Sequence, residues 1–482
     1  MRSENGKADR LRRRRLISFV VAGIVAIVGL GSTASAQKKK AKEKVDLLIL
    51  GGTIVMMDGQ RSIIQDGAIA VKGDTIVWIG LQGNDLPYEG AQTIQASGKL
   101  VLPGFVNGHT HAAMTLFRGL RDDVTLDEWL QKYIFPAEAK NVTEEFVRWG
   151  TRLGTAEMIR GGVTTYADMY YFEDAVAEET KAAGMRAVLG ETFIDFPAPD
   201  NKNEAAMLAY TEKFLKRWQG DTLIHAAVAP HSIYTCSEKT LRDAAALARK
   251  YQAPIVIHVA EMKKELDDSR EKNGTTPVQY LNKIGVLGAD VVAAHCIYVD
   301  ETDRKILAEQ KVGCVHNPSS NMMMASGVAP VAELRAANVA VGLGTDGVAG
   351  SNNDLDLMEE MDLAAKLAKI TRMDPRALSA KAVVEMATIE GARALHMEKE
   401  IGSLEKGKKA DIIVIGLDEP HAVPMYDIYA QLAYALKGSD VETVVIGGRV
   451  VMQDRKVLTV NEVEAKAKAK EYRRKVAESL GM

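Results

Sequence analysis

The chain has 482 residues, too many for one simple core, and its 47% hydrophobic and 26% charged residues are ordinary for a globular protein. A formal net charge of −3 excludes the bulk positive charge that a nucleic-acid surface needs. Seven of the 61 basic residues but only two of the 64 acidic ones lie in the first 36 positions, so the remainder is more acidic still and has no bulk attraction to anionic membranes.

The N-terminus stands apart. Arg12 to Arg15 precede an apolar run from Leu16 to Leu30, and Ala34-Ser35-Ala36 follows before Gln37. A basic segment, an apolar segment and an A-x-A site are the parts of an export signal. The run falls short of the roughly 20 apolar residues of a membrane span. Residues 1–36 are therefore expected to be an export signal peptide, placing the mature chain in the periplasm or outside the cell without stable membrane insertion. An uncleaved N-terminal anchor is the alternative. Residues 37–44, QKKKAKEK, read as a solvated linker.

Residues 45–100 read as short strands with glycine turns, among them VDLLILGGTIV and TIVWIG. The middle, 101–402, alternates apolar strands with helical stretches: GVTTYADM, GMRAVLGETF, LIHAAVAPHS, APIVIHVAE, DVVAAHC, VGCVHNP and VAVGLGTDG, with helices such as FVRWGTRLGTAEMIR and EKTLRDAAALARKY between them. Units of this kind predict an α/β fold with a (β/α)8 TIM barrel. Residues 403–460 return to strands, ADIIVIGL and VETVVIGGRVVMQDRKVL, and 461–482 read as a C-terminal helix. The two β-rich ends are expected to pair into one small β-sandwich domain beside the barrel. The three cysteines, Cys236, Cys296 and Cys314, form no CxxC and read as buried small hydrophobes.

Polar residues fall where these strands end. His109 and His111 end the first, in GFVNGHTHAAMT; His231, His258, His295 and Asp346 end later ones, and Glu261 follows His258 by three. In a (β/α)8 barrel all these ends converge on one mouth. His109, His111, His258 and Asp346 make a four-ligand set for one divalent metal, which acidifies water to hydroxide near neutral pH. Asp346 is a ligand, a general base for that water, or both. Glu261 is placed to shuttle a proton to a substrate ring nitrogen; a first-turn helix residue favoured by the macrodipole is the plainer reading. His295 is read as holding the attacking water or stabilising oxyanion charge. His231 is read as a substrate contact, with a core histidine as the alternative. His316 is open between mouth and core, Met322 to Met324 read as adaptable packing near a pocket, His225 as a satisfied core histidine, and His396 and His421 as structural. Two-metal barrels often carry a bridging lysine on the fourth strand. GMRAVLGETF, the fourth in this reading, has none, so one metal is expected. P-loop, dinucleotide, GxSxG and cytidine-deaminase signatures are absent.

The motifs PGFVNGHTHAAMTLFRG, KYIFPAEAK, APHSIYTCS, IHVAE, AAHC, HNPSSNM and GTDGVAGSNNDLDLMEEM resemble the amidohydrolase superfamily over about residues 45–460. Within it, they are most similar to methylthioadenosine/S-adenosylhomocysteine deaminases and their triazine chlorohydrolase relatives. The resemblance implies zinc, or iron in some relatives, on His109, His111, His258 and Asp346. It implies that Glu261, His295 and Asp346 act on water and the purine ring, that Glu138 contacts ribose and that His231 contacts substrate. The implied reaction is hydrolytic deamination of methylthioadenosine, S-adenosylhomocysteine or adenosine to the inosine analogue and ammonia. The alternative is an aminohydrolase or chlorohydrolase of another ring (triazine, guanine or pterin-like), and a remote one is a non-catalytic assembly protein. A small-molecule substrate and a homo-oligomer are expected, without nucleic acid. Two features depart from the pattern: Glu191 stands near the usual position of a substrate-binding arginine, which disfavours S-adenosylhomocysteine, and the export signal is unexpected for a purine deaminase.

Overall fold

A computed structural model describes residues 42–83 and 85–482. The expected signal peptide and most of the expected linker lie outside the described residues. Among the described residues, no helix is long and apolar enough to cross a membrane.

The near end of the chain forms β1 (Glu43–Val55), β2 (Ile63–Lys72), β3 (Thr75–Leu81), β4 (Tyr88–Gln95) and β5 (Leu100–Pro103). β1 pairs with β2 along its length, with β4 over its first half and with β5 over its second. The change of partner follows Gly51, at φ +84° and so close to Ser97 that a Cβ would lie 2.2 Å from its Oγ. Only glycine fits both the backbone and the gap, and the register shifts there as a bulge does.

The middle of the chain forms eight parallel strands: β6 (Phe105–Thr110), β7 (Val163–Tyr170), β8 (Arg186–Phe193), β9 (Ile224–Pro230), β10 (Ile255–Val259), β11 (Val291–His295), β12 (Gly313–His316) and β13 (Ala340–Leu343). They pair in chain order and close into a barrel when β13 meets β6, Leu343 opposite Asn107. Their apolar runs suit strands buried on both faces, inside against the barrel core and outside against helices. Thr143 and Ser237 cap helices Glu144–Arg160 and Glu238–Tyr251 by accepting from Phe146 N and Thr240 N.

GMRAVLGETF is thus the third barrel strand and not the fourth. The run LVLPGFVNGH holds two strands of different sheets, β5 and β6, separated only by Gly104, and only β6 belongs to the barrel. The true fourth strand, β9, reads IHAAVAP and also has no lysine.

The far end adds β14 (Ile412–Ile415), β15 (Val441–Ile446), β16 (Arg449–Gln453) and β17 (Lys456–Val457), and β14 lies antiparallel to β5. Both chain ends therefore share one separate sheet of nine strands. Strand alternation splits its centre: Leu100, Leu102, Ile413 and Ile415 join the large barrel core, while Val101, Ile412 and Val414 face the sheet's own cluster. Helix Glu462–Leu480 lies where the sequence placed it and packs Tyr472 on Phe146, ring centroids 5.3 Å apart. The three cysteines are free and buried, as expected.

A buried ion pair ties barrel to sheet. Arg186, first residue of β8, donates from Nε (2.9 Å) and Nη2 (3.2 Å) to Asp411 and from Nη1 to Thr222 O (2.6 Å). Asp411 also accepts from Gly447 N at 2.7 Å, and both partners are at most 3% exposed. Such a pair is a weak source of net stability when intact, but losing one partner strands a buried charge. Asp411→Ala is expected to lower unfolding free energy by about 3–5 kcal/mol, measured by chemical denaturation.

Candidate metal centre and active site

The barrel's closing seam builds the site. Asp346 N donates to His109 O at 3.0 Å, and Thr110 bridges Asp346 in parallel register. The Asp346 carboxylate then lies 3.3 Å from His109 Nε2 and 3.2 Å from His111 Nε2 through Oδ1, and 3.9 Å from His295 Nε2 through Oδ2. His258 completes the cluster, its ring centroid 4.9 Å from that of His109.

Donor chemistry decides what this cluster suits. His111 Nδ1 donates to Met169 O (2.6 Å) and His258 Nδ1 donates to His231 O (2.9 Å). A carbonyl only accepts, so both rings carry Nδ1–H and turn a bare Nε2 to the centre. His109 is fully buried, and neither of its ring nitrogens has a partner; His295 Nε2 also lacks one. Burial pulls His109 down to about 4, so it is neutral and a ligand in waiting. Orphaned buried imidazole nitrogens around a carboxylate fit a divalent metal ion. The tightest group, with ligand atoms all within 4.8 Å of one another, is His109, His258, His295 and Asp346. His111, the remaining member of the sequence-based set, is not in that group but adjoins it, its Nε2 3.2 Å from Asp346 Oδ1.

Neighbours hold these groups in place. Asp168 Oδ1 accepts from Thr110 Oγ1 (2.5 Å) and Ala112 N (2.6 Å), clamping the His109–His111 turn. Ser320 Oγ donates to Asp346 Oδ2 at 2.6 Å. Burial alone would raise Asp346, but the His109 and His111 imidazoles packed against it outweigh that and hold the carboxyl well below the usual range. Glu261 Oε1 lies 3.7 Å from His295 Nε2, and burial pushes its carboxyl up. Glu265 accepts from Ala260 N and Glu261 N, fixing the turn that carries Glu261.

Glu138, Glu261, His231 and Asp346 all line one cavity above the cluster. Glu138 accepts from Tyr170 OH at 2.7 Å, and burial raises it to about 7. His231 turns Nδ1 toward Thr235 and Ser232. Glu191 is not among the lining residues. Its neighbour Thr192 is, and strand alternation turns Glu191 away, where it accepts from Asn201 Nδ2 and Glu173 N. Glu191, expected to disfavour S-adenosylhomocysteine, therefore does not face the cavity. His316 is buried outside the lining, and the methionine run does not line the cavity. His225 is not satisfied: its Nε2 is buried without a partner. His396 and His421 bond Val291 O and Asp440, as structural residues do. Sequence reasoning missed Tyr170, Tyr234 and Asp168. Tyr234 stands inside the motif APHSIYTCS and Asp168 near the end of β7, the only signals available.

The amidohydrolase family pattern matches residues 100–451. A 5-methylthioadenosine/S-adenosylhomocysteine deaminase of Syntrophus aciditrophicus is 46% identical over 439 residues, 91% of this chain and 99% of that protein. The zinc-bound crystal structure of an adenosine deaminase from Xanthomonas campestris superposes with a TM-score of 0.89 at 35% identity, covering 91% of this chain and 100% of that one. An atrazine chlorohydrolase from Arthrobacter aurescens shares the fold, with a TM-score of 0.82 at 24% identity over 88% of this chain and 99% of that one.

Two outcomes are expected. His258→Ala should lose the divalent ion that the parent chain retains, read by plasma mass spectrometry after dialysis. Glu138 at about 7 holds a proton that an unfolded carboxylate has released above about 4.5. Its contribution to stability therefore falls as pH rises from about 4.5 to 7, by about 3 kcal/mol. Glu138→Gln should flatten that part of the stability–pH curve.

Proposed function

The chain belongs to the amidohydrolase family, and within it we propose hydrolytic deamination of adenine nucleosides, giving the inosine analogue and ammonia. The observation that carries this reading is the pairing, on one cavity, of the His/Asp cluster and Glu261 with the buried carboxylate of Glu138. The cluster and Glu261 suit attack at an electron-poor ring carbon; Glu138 suits ribose hydroxyls. The relatives named above act in the same direction.

Zinc, with iron as the alternative, would be held by His109, His111, His258 and Asp346 and would acidify water toward neutral pH. The chain's own groups do the rest. Glu261, whose carboxyl burial pushes up, donates to the ring nitrogen beside C6. Asp346, steadied by Ser320, accepts the proton of the attacking water and returns it to the departing amine. His295 Nε2 orients that water, and His231 bounds the substrate's other side. Water adds to C6, the C6–N bond breaks, ammonia leaves, and the hydroxyl proton left at C6 returns to Glu261 as the carbonyl forms. Hydrolysis of a triazine, guanine or pterin-like ring uses the same machinery but leaves Glu138 without a role. A non-catalytic assembly role leaves the whole donor set without one. The N-terminal pattern supports export, which makes this a scavenging enzyme outside the cytoplasm.

Ammonia release should be seen with methylthioadenosine or adenosine and not with guanine or melamine; activity on the non-nucleoside rings alone would reject the nucleoside reading. Glu261→Gln should keep its metal and lose about 10²–10⁴-fold in kcat, by steady-state kinetics. Full activity in that variant would remove Glu261 from proton transfer.

A further inference from the structure

The cavity has a second wall that the deamination chemistry does not use. Leu126, Trp129, Leu130, Ile134 and Phe135 line it, from the segment that leads into helix Phe135–Asn141 and from its first residue; that helix carries Glu138. Trp129–Ile134 is a π-helical turn, a form often found at functional sites. The wall is fixed in advance. Trp129 Nε1 donates to Ala349 O at 3.0 Å, and Phe135 packs on Phe196 with ring centroids 5.1 Å apart. Because the wall runs directly into Glu138, a group carried on the ribose meets it.

Charge sharpens the point. Among the described lining residues, the ionisable groups are histidines, tyrosines and the carboxyls of Glu138, Glu261 and Asp346; none is lysine or arginine. Arg121 lies nearby in sequence but stacks on Tyr133, 4.7 Å from the ring centroid, and does not line the cavity. A substrate carboxylate brought here would leave water with no cation to meet it and with acidic groups around it. A short thioether loses nothing by the same move and gains apolar contact.

We infer that this wall is the specificity-determining element for the 5′ position. It admits adenine nucleosides with an uncharged 5′-thioether, and it rejects the zwitterionic amino-acid tail of S-adenosylhomocysteine. The inference rests on the deaminase reading and narrows it to one part of the substrate range for which the relative from Syntrophus aciditrophicus is named.

The test compares kcat/KM for three substrates with the same purine and ribose: methylthioadenosine, S-adenosylhomocysteine and 5′-butylthio-5′-deoxyadenosine, a neutral thioether of comparable length. The two neutral substrates are expected within tenfold of each other, and S-adenosylhomocysteine roughly 100-fold lower. Leu130→Arg should then raise S-adenosylhomocysteine relative to methylthioadenosine by about tenfold or more. If that variant does not fold, Phe135→Lys on the half-buried rim serves the same purpose. S-adenosylhomocysteine within tenfold of methylthioadenosine in the parent chain would overturn the inference. A butylthio analogue as poor as S-adenosylhomocysteine would also overturn it, since length and not charge would then decide. No turnover of either neutral nucleoside would instead bring down the deaminase reading beneath it.

Discussion

The seam between β13 and β6 is the constraint on which the site depends. Asn107 and Thr345 stitch it twice: Asn107 Nδ2 donates to Thr345 Oγ1 at 2.8 Å, and Thr345 N donates to Asn107 Oδ1 at 3.1 Å. Both residues are fully buried, so each bond is made away from competing water. The seam sets Asp346 beside His109 and His111, which lie more than 230 positions earlier in the chain. No local structure could bring these three together. A closed barrel does so because its last strand must pair with its first.

The mouth holds conformations that a relaxed chain avoids. Ala260, His295 and Asp346 all take positive φ, at +54°, +72° and +62°. Each such residue costs on the order of 1–3 kcal/mol. The strain is held by bonds from outside the metal cluster: Glu265 on the 260–261 amides, Asn321 on His295 Nδ1, and Ser320 with the Gly347 amide on Asp346. Orphaned histidine nitrogens and buried carboxyls add to the cost. The barrel core and the sheet pinned by β5 and β14 offset it, so the site is a locally unfavourable feature carried by a well-packed frame.

Much of this was legible in the sequence, and the reasons are specific. The eight strands show as short apolar runs because parallel strands are buried on both faces. His109, His258, His295 and Asp346 show because a polar residue at the end of such a run has no structural excuse. The sheet shared by the two chain ends shows because both are β-rich while the middle is not. What did not show depends on geometry across the fold. Gly104 hides a change of sheet inside one apolar run. Glu191 and Thr192 are neighbours in sequence, yet only Thr192 faces the cavity. Glu138 shows only through the resemblance carried by KYIFPAEAK, since by itself it reads as a helix residue; Tyr170, on a strand, and the apolar wall place it over the cluster.

The account's central claim is that one ion sits at this seam, held at one mouth by donors from the first, fifth and last barrel strands. Anomalous diffraction from crystals of the metal-loaded protein, collected on both sides of the zinc and iron edges, tests it most directly. The account predicts a single peak per chain within bonding reach of Nε2 of His109, His111 and His258 and of the Asp346 carboxylate. Two peaks, or a peak away from Asp346, would contradict it.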